Sequence, residues 1–282
     1  MNVIGIGSVG CAMVEQLKQY PQYNVYKIDH DLKGLKKNGE YNFPRFDEVE
    51  EYESRCPTMK NFLKNVNGET TLFVSGQDSL CAATLRILET IRSRTKISII
   101  YFKPDSDLTS AETRLMDNAA FNIFQEYARS GMFDRIYIVS QDLLESAVGD
   151  VSILEFENKT AELVSFMFHI VNVMRNSDPV YDNFTSEIDI ARISTFGMAS
   201  TEESEETLLY PLSYAKEKTY YYLIPESSLQ KDTKLMKKIT NHVKKRTEHG
   251  KIKINFGVYQ SEYPDPFVYV VSSSSMIQGA DL

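Results

Sequence analysis

A short glycine-rich loop near the start of the chain restricts the possible folds more than any other feature. Gly5 ends the strand-like run at residues 2–5, and Gly7 and Gly10 follow it before residues 11–20, which have the pattern of a helix. Glycine has no Cβ, so the backbone amides of such a loop can approach a phosphate at the helix N-terminus, where Ser8 lies. The alternative is that the glycines only permit close packing of helix on strand. Both interpretations predict a strand–turn–helix unit of an α/β protein.

The first half of the chain continues this alternation of strand and helix. Further strands are predicted over residues 24–28, 72–74, 97–102 and 136–139, and further helices over 81–92 and 110–129. An acidic segment, 46–66, is expected to be helical in its later part. Apolar strands separated by amphipathic helices are typical of a parallel sheet covered on both faces, and right-handed crossovers make such a sheet doubly wound.

The second half has a different pattern. An apolar segment at residues 160–175 predicts a buried helix. Strands are then predicted over residues 191–196, 220–224, 253–259 and 267–272, and a basic helix over 231–246. We therefore expect a Rossmann-like nucleotide-binding domain at residues 1–155, a connecting helix at 156–180, and a smaller α+β domain at 181–282.

Charge and cysteine content exclude several classes of protein. The chain has 31 Lys and Arg against 39 Asp and Glu, a net charge of −8, which argues against direct binding to nucleic acid. Its three cysteines are widely spaced, without a CxxC pair or a histidine at ligand spacing, so neither a disulfide framework nor a protein metal site is expected. The strongly apolar stretch at residues 163–174 is too short to span a bilayer. We expect a soluble protein of the cytoplasm, without membrane insertion.

An acidic residue after the second predicted strand suggests one possible ligand. Asp29 lies 24 residues after Gly5, where a dinucleotide-binding domain has an acid for the ribose hydroxyls. On these features alone, an NAD-dependent oxidoreductase is a hypothesis. The second half, however, offers no evident catalytic constellation, because its histidines are scattered.

The order of segments along the chain resembles the tubulin/FtsZ superfamily. The opening VIGIGSVGCAMV is similar to the first phosphate loop of FtsZ, with Gly5, Gly7 and Gly10 at glycine positions. Residues 134–145, DRIYIVSQDLLE, resemble the strand that leads to the guanine-contacting loop. Other similar segments are VYKIDHDLKGL (25–35), ISIIYFKP (97–104), the helix at 160–175, EIDIARISTFGMAS (187–200) and the closing strands at 254–274. The series covers almost the whole chain, and divergence of this extent would suit a phage- or plasmid-borne relative.

The resemblance implies a GTP or GDP site, with Mg²⁺ held by the nucleotide, but its most diagnostic loop is altered. Where the family has consecutive glycines, this chain has the sequence SGQDSLCA at residues 75–82, with one glycine. Ser75, Gly76 and Ser79 remain candidate phosphate contacts, whereas the Asp78 carboxylate would repel a triphosphate unless Mg²⁺ lay between them.

The resemblance also implies contacts at the base and a catalytic loop. Ser140 takes the position of the guanine-contacting Asn, and Asn118 resembles an Asn near the base in tubulins. By position, Glu187 and Asp189 are the candidates for the acidic residues that polarise the attacking water on the next subunit's nucleotide. A surface-loop role for both acids is the alternative.

Three functions therefore remain open. The first is a tubulin/FtsZ-like protein that binds GTP or GDP and assembles head to tail into filaments. The second is a pseudo-GTPase scaffold of the same fold, without hydrolysis and with no nucleotide or a permanent one, that acts through a protein partner. The third is the oxidoreductase.

Overall fold

The computed structural model describes residues 1–32, 39–200, 206–247 and 250–279. The chain divides into two compact units, Met1–Ser165 and Phe166–Gln278. Residues 33–35, the end of one FtsZ-like segment, lie outside the described residues. Among those described, no helix combines the length and the apolar character needed to cross a membrane.

The first unit is built on a parallel sheet. Its elements are β1 (Asn2–Ile6), α1 (Gly7–Gln16), β2 (Asn24–Asp29), β3 (Glu40–Asn42), α2 (Val49–Ser54), β4 (Gly68–Ser75), α3 (Thr84–Glu89), β5 (Thr95–Lys103), α4 (Ala111–Arg129), β6 (Arg135–Ser140), α5 (Gln141–Val148) and the first part of α6 (Phe156–Arg175). The strand order is β3-β2-β1-β4-β5-β6, and all five pairings are parallel. Every residue of β1 is buried, as expected for a sheet covered on both faces. The predicted α/β fold with a doubly wound parallel sheet is confirmed.

The order of the strands determines where a ligand can bind. The chain moves outwards from β1 to β2 and β3, then returns to place β4 on the other side of β1. At such a reversal the loops after the two neighbouring strands separate, which leaves a crevice outside their carboxyl ends. In this protein those loops follow Ile6, the last residue of β1, and Ser75, the last residue of β4.

The second unit contains the rest of α6 and a mixed sheet. Its other elements are β7 (Tyr181–Asp182), β8 (Ile193–Ala199), β9 (Glu206–Leu208), β10 (Ala215–Pro225), α7 (Glu226–Lys231), α8 (Leu235–Arg246), β11 (Lys253–Ser261) and β12 (Phe267–Ser274). The order is β8-β12-β10-β11-β7, with β9 on β8. Only β10 and β11 pair in parallel in this part of the described chain, because α7 and α8 form the crossover between them. Ile239 of α8 packs into the core of this unit with Tyr220 and Tyr222.

Three helices differ from the predictions. In segment 46–66 the helix is α2, in the earlier part, and the prediction of a later helix is wrong. Glu48 and Glu51 form a capping box that starts α2 at Val49, and Pro57 cannot donate a helical hydrogen bond. The basic helix is interrupted near Asp232, whose carboxylate accepts a hydrogen bond from the Lys234 amide in a local turn. Helix α5 and the short strand β3 have no counterpart in the sequence predictions.

Candidate functional site

Helix α1 begins within the glycine loop rather than after it. Gly7, its first residue, has a φ of +73°, in the left-handed region that favours glycine. The preceding residue, Ile6, makes no side-chain cap. Because the first amides of a helix have no partner within the helix, the start of α1 needs an acceptor from elsewhere.

That acceptor is the carboxylate of Asp78, from the loop after β4. One of its oxygens accepts a hydrogen bond from the Ser8 amide at 2.9 Å, and the other accepts one from the Leu80 amide at 2.9 Å. A Cβ added to Gly7 would collide with this carboxylate. An internal anion thus lies at the N-terminus of α1, where the helix dipole favours negative charge.

The other two glycines of the loop serve packing. A side chain at Gly10 would collide with the backbone carbonyl of Phe73 in β4, and one at Gly5 would collide with the carbonyl of Gly10. These glycines let α1 lie close against the sheet. The packing alternative therefore accounts for Gly5 and Gly10, whereas Gly7 provides the space that Asp78 occupies.

A second carboxylate adds negative charge beside the loop. Asp29, at the end of β2, accepts a hydrogen bond from the His30 amide at 2.8 Å. Burial, followed by the repulsion of Asp78, raises the pKa of Asp29 despite that bond. Burial and the charge of Asp29 also raise the pKa of the Cys11 thiol well above its ordinary range. The end of the crevice beside the glycine loop is therefore unfavourable for a further anion.

A cleft of about 310 Å³ lies beside the two loops, with Ser8 and Gln77 in its lining, whereas neither Asp78 nor Asp29 lines it. This volume is at the lower end of the range for ligand pockets, roughly 300–1,000 Å³. Its polar lining comes from Ser8, Gln77, Gln141, Glu157 and Thr160, and its apolar lining from Val9, Ala12, Met13, Phe102, Phe156 and Ala161.

Of the predicted contacts, only Ser8 lines the cleft. Ser75 and Gly76 are buried beneath the loop, and Ser140 is buried at the end of β6. Ser79 follows Asp78 in a turn of 3-10 helix, and Asn118 lies within α4. Sequence analysis did not identify Gln77, Gln141, Glu157 or Thr160, because these residues belong to no recognised motif.

A buried polar cluster fixes the loop after β4 from below. Asp117 of α4 accepts hydrogen bonds from the Tyr101 hydroxyl at 2.6 Å and from Lys103 Nζ at 2.9 Å. A Cβ at Gly76 would collide with both Asp117 and Tyr101, so only glycine fits there. The Gly76 amide also donates to the Phe102 carbonyl at 3.1 Å. The loop that carries Asp78 is thus held in place at its start.

The two acidic candidates of the second unit lie on an exposed loop before β8. Glu187 pairs with Arg175 at 2.7 Å, and Asp189 is exposed. Glu217, which is 2% exposed, anchors this loop by accepting a hydrogen bond from the Ile188 amide at 3.0 Å. It also accepts one from Asn255 at 2.7 Å. The loop is therefore held by the sheet beneath it, with both acidic side chains directed outwards.

The sequence matches no protein-family model and no curated protein sequence. The fold, however, is similar to that of a GTPγS-form protofilament of TubZ from Bacillus thuringiensis serovar israelensis, with a TM-score of 0.75 and 11% identity over 98% of this chain and 87% of that chain. It is also similar to CetZ from Methanosaeta thermophila, with a TM-score of 0.66 and 15% identity over 98% and 86% of the two chains. For FtsZ from M. jannaschii the TM-score is 0.67, with 11% identity over 97% and 87%. Over nearly its whole length, the protein has the tubulin/FtsZ fold.

Proposed function

We propose that the protein is a cytoskeletal subunit of the tubulin/FtsZ type that assembles head to tail without hydrolysing a nucleotide. The observation that carries the first part is the similarity of nearly the whole chain to subunits solved as protofilaments, TubZ among them. In such an assembly, the cleft face of one copy meets the loop with Glu187 and Asp189 of the next. This contact is heterologous, so it can repeat along a filament.

The second part of the proposal rests on Asp78. The TubZ structures include a GTPγS form and a GDP form, which makes a guanine nucleotide the first ligand to test for the cleft. The residues at the start of α1, beside the cleft, do not fit a triphosphate, because Asp78 already accepts the Ser8 hydrogen bond and the Asp29 carboxylate lies close enough to interact with it. We therefore favour the pseudo-GTPase alternative for the chemistry, within a subunit that still polymerises.

The test is assembly of the purified full chain, followed by light scattering and electron microscopy as the protein concentration rises. Every sample contains Mg²⁺. One sample has no nucleotide, and each of the others has one of GTP, GTPγS, GDP, ATP or NAD. We expect filaments in every sample and no release of phosphate. Assembly only with GTP, or steady hydrolysis of GTP, would contradict the proposal that assembly does not depend on a nucleotide. Selective binding of NAD would support the oxidoreductase hypothesis instead.

Variants of the second unit test the head-to-tail contact. Asp189→Lys reverses an exposed charge on the proposed junction, and Glu262→Lys makes the same change on the exposed loop between β11 and β12. We expect the first to raise the protein concentration needed for assembly and the second to leave it unchanged. If both variants raised the protein concentration needed for assembly by the same amount, the net charge of the protein, and not the proposed junction, would control assembly.

A further inference from the structure

A second cavity in the first unit lies between α2, α3 and α4. It has a volume of about 390 Å³. Ten of its fourteen lining residues are apolar or cysteine, the other four are glutamates, and none is Lys or Arg. We call it the acidic groove; its lining is Glu48, Val49, Glu50, Glu53, Cys81, Ala82, Leu85, Glu112, Leu115, Met116, Ala119, Ala120, Ile123 and Phe124.

The apolar part of the acidic groove follows the axis of α4. Cys81 and Phe124 are buried in the groove, whereas Leu115 is 72% exposed and Ile123 is 42% exposed. Leu115, Ala119 and Ile123 recur every four residues, so they form a stripe about 12 Å long on one side of the helix. Exposed apolar side chains that are grouped, as Leu115 and Ile123 are here, are a feature of interaction surfaces.

Four glutamates flank this stripe, and part of their negative charge is not neutralised. Within the described chain, neither Glu50 nor Glu112 is paired with a cation, although both line the acidic groove. Glu53 has Arg86 at 3.6 Å, an exposed pair, and Glu48 takes part in the capping box of α2. A partner that covers the apolar stripe therefore has the best electrostatic complementarity if it places cations beside the glutamates of both α2 and α4.

We propose that the acidic groove binds an amphipathic helix of another protein, with apolar residues on one face and Lys or Arg on the flanks. A helix matches the straight stripe because its own anchors recur at three- and four-residue spacing. A second copy of this chain fits less well. Its basic helix α8 has Ile239 and His242 buried within its own unit and exposes one large apolar side chain, Met236, which is too little to cover a stripe of three residues.

The experiment is a fluorescence-anisotropy titration of the full chain with a labelled model peptide of about 16 residues, roughly four helical turns. The peptide has leucines on one face and lysines on the flanks, and a second peptide has glutamates in place of the lysines. Leu115→Ser and Glu112→Lys change the groove, and Leu108→Ser is the matched control because Leu108 is 69% exposed outside it. Glu262→Lys is the control for charge.

We expect the lysine peptide to bind, with each groove variant weakening binding at least about tenfold and each control leaving it unchanged. The glutamate peptide should not bind. Equal affinity for wild type, groove variants and controls would overturn the proposal. It would also be overturned if Leu115→Ser abolished self-association of the free protein in sedimentation, because a second copy would then be the occupant.

Discussion

The carboxylate of Asp78 accepts a hydrogen bond from the Ser8 amide at 2.9 Å, although 70 residues separate the two positions. This bond joins the loops that follow β1 and β4, at the point where the strand order reverses. An open crevice at this point would present amides to a ligand's phosphate. Here the chain presents its own anion, the Asp78 carboxylate, to those amides.

Replacing Asp78 by Ser should create affinity for a nucleotide. Serine can still cap the following turn through the Leu80 amide, but it removes the charge and vacates the space over Gly7. We expect binding of GTPγS with Mg²⁺ to tighten at least about tenfold, since a phosphate would no longer face a carboxylate at the start of α1. Isothermal titration calorimetry measures the change.

The matched control is Asp150→Ser. Asp150 is exposed after α5 and lines neither cavity, so its replacement should leave nucleotide affinity unchanged. If the wild type bound GTPγS as tightly as Asp78→Ser does, the Asp78 carboxylate would not be what prevents nucleotide binding.

Gly7→Ala should destabilise the protein more when Asp78 is present than when it is absent. In the wild type the new Cβ meets both an unfavourable φ and the carboxylate, for a cost of about 2–3 kcal/mol. In an Asp78→Ala background only the backbone strain remains, about 1 kcal/mol. Urea denaturation of the wild type, the two single variants and the double variant gives the coupling free energy between the two positions. Additive effects would contradict the close contact between Gly7 and the Asp78 carboxylate.

Glu217→Ala should destabilise the second unit by about 2–3 kcal/mol, because the Ile188 amide, the Asn255 side chain and Lys253 Nζ all lose a buried carboxylate partner. Hydrogen exchange at the Ile188 amide should accelerate at the same time. Glu226→Ala, on the exposed first turn of α7, should change neither quantity. If Glu217→Ala left exchange at Ile188 unchanged, this carboxylate would not anchor the loop with Glu187 and Asp189.

The stability of the second unit should fall as the solution becomes mildly acidic. Burial, followed by the charge of Arg246, lowers the pKa of His242 below its ordinary value. The folded state therefore binds fewer protons than the unfolded chain once the pH drops below about 6.5, and the free energy of unfolding decreases there.

Urea denaturation at about pH 7.5 and about pH 5.5 tests this dependence, with both values chosen around the ordinary histidine pKa. His242→Gln should reduce the loss of stability between them. It should not remove the loss completely, because burial also lowers the pKa of His169. An unchanged pH dependence in His242→Gln would contradict the prediction.

The sequence was sufficient to predict the parallel sheet, because its buried strands are continuous apolar runs and the helices between them are amphipathic. It was also sufficient to predict α4, whose start is marked by Ser110, a side chain that accepts a hydrogen bond from the Thr113 amide. These signals are local, and the corresponding elements follow from them. By contrast, β3 has only three residues and owes its existence to pairing with β2.

The candidate site could be predicted only in part. The glycine loop was sufficient to predict the location of the crevice. Whether the Ser8 amide is available to a ligand depends on the position of the Asp78 carboxylate, and this position depends on the pairing of β4 with β1. Gly76 shows the same dependence, since the need for glycine comes from Asp117 and Tyr101 on other elements. Asn118 matched a two-residue motif, yet it is a neighbour of Asp117 in the middle of α4, where the motif carries no information about the cleft.

The cap on α1 also has a consequence for the order in which the chain folds during synthesis. The Ile6 side chain supplies no acceptor, so the cap at the start of this helix is incomplete until Asp78 has left the ribosome and β4 has paired with β1. Helix α1 is thus completed by a residue that is made 70 positions later in the chain. A nascent chain halted before residue 78 would hold the glycine loop open, with the amide of Ser8 free to bind whatever anion the surrounding solution offers.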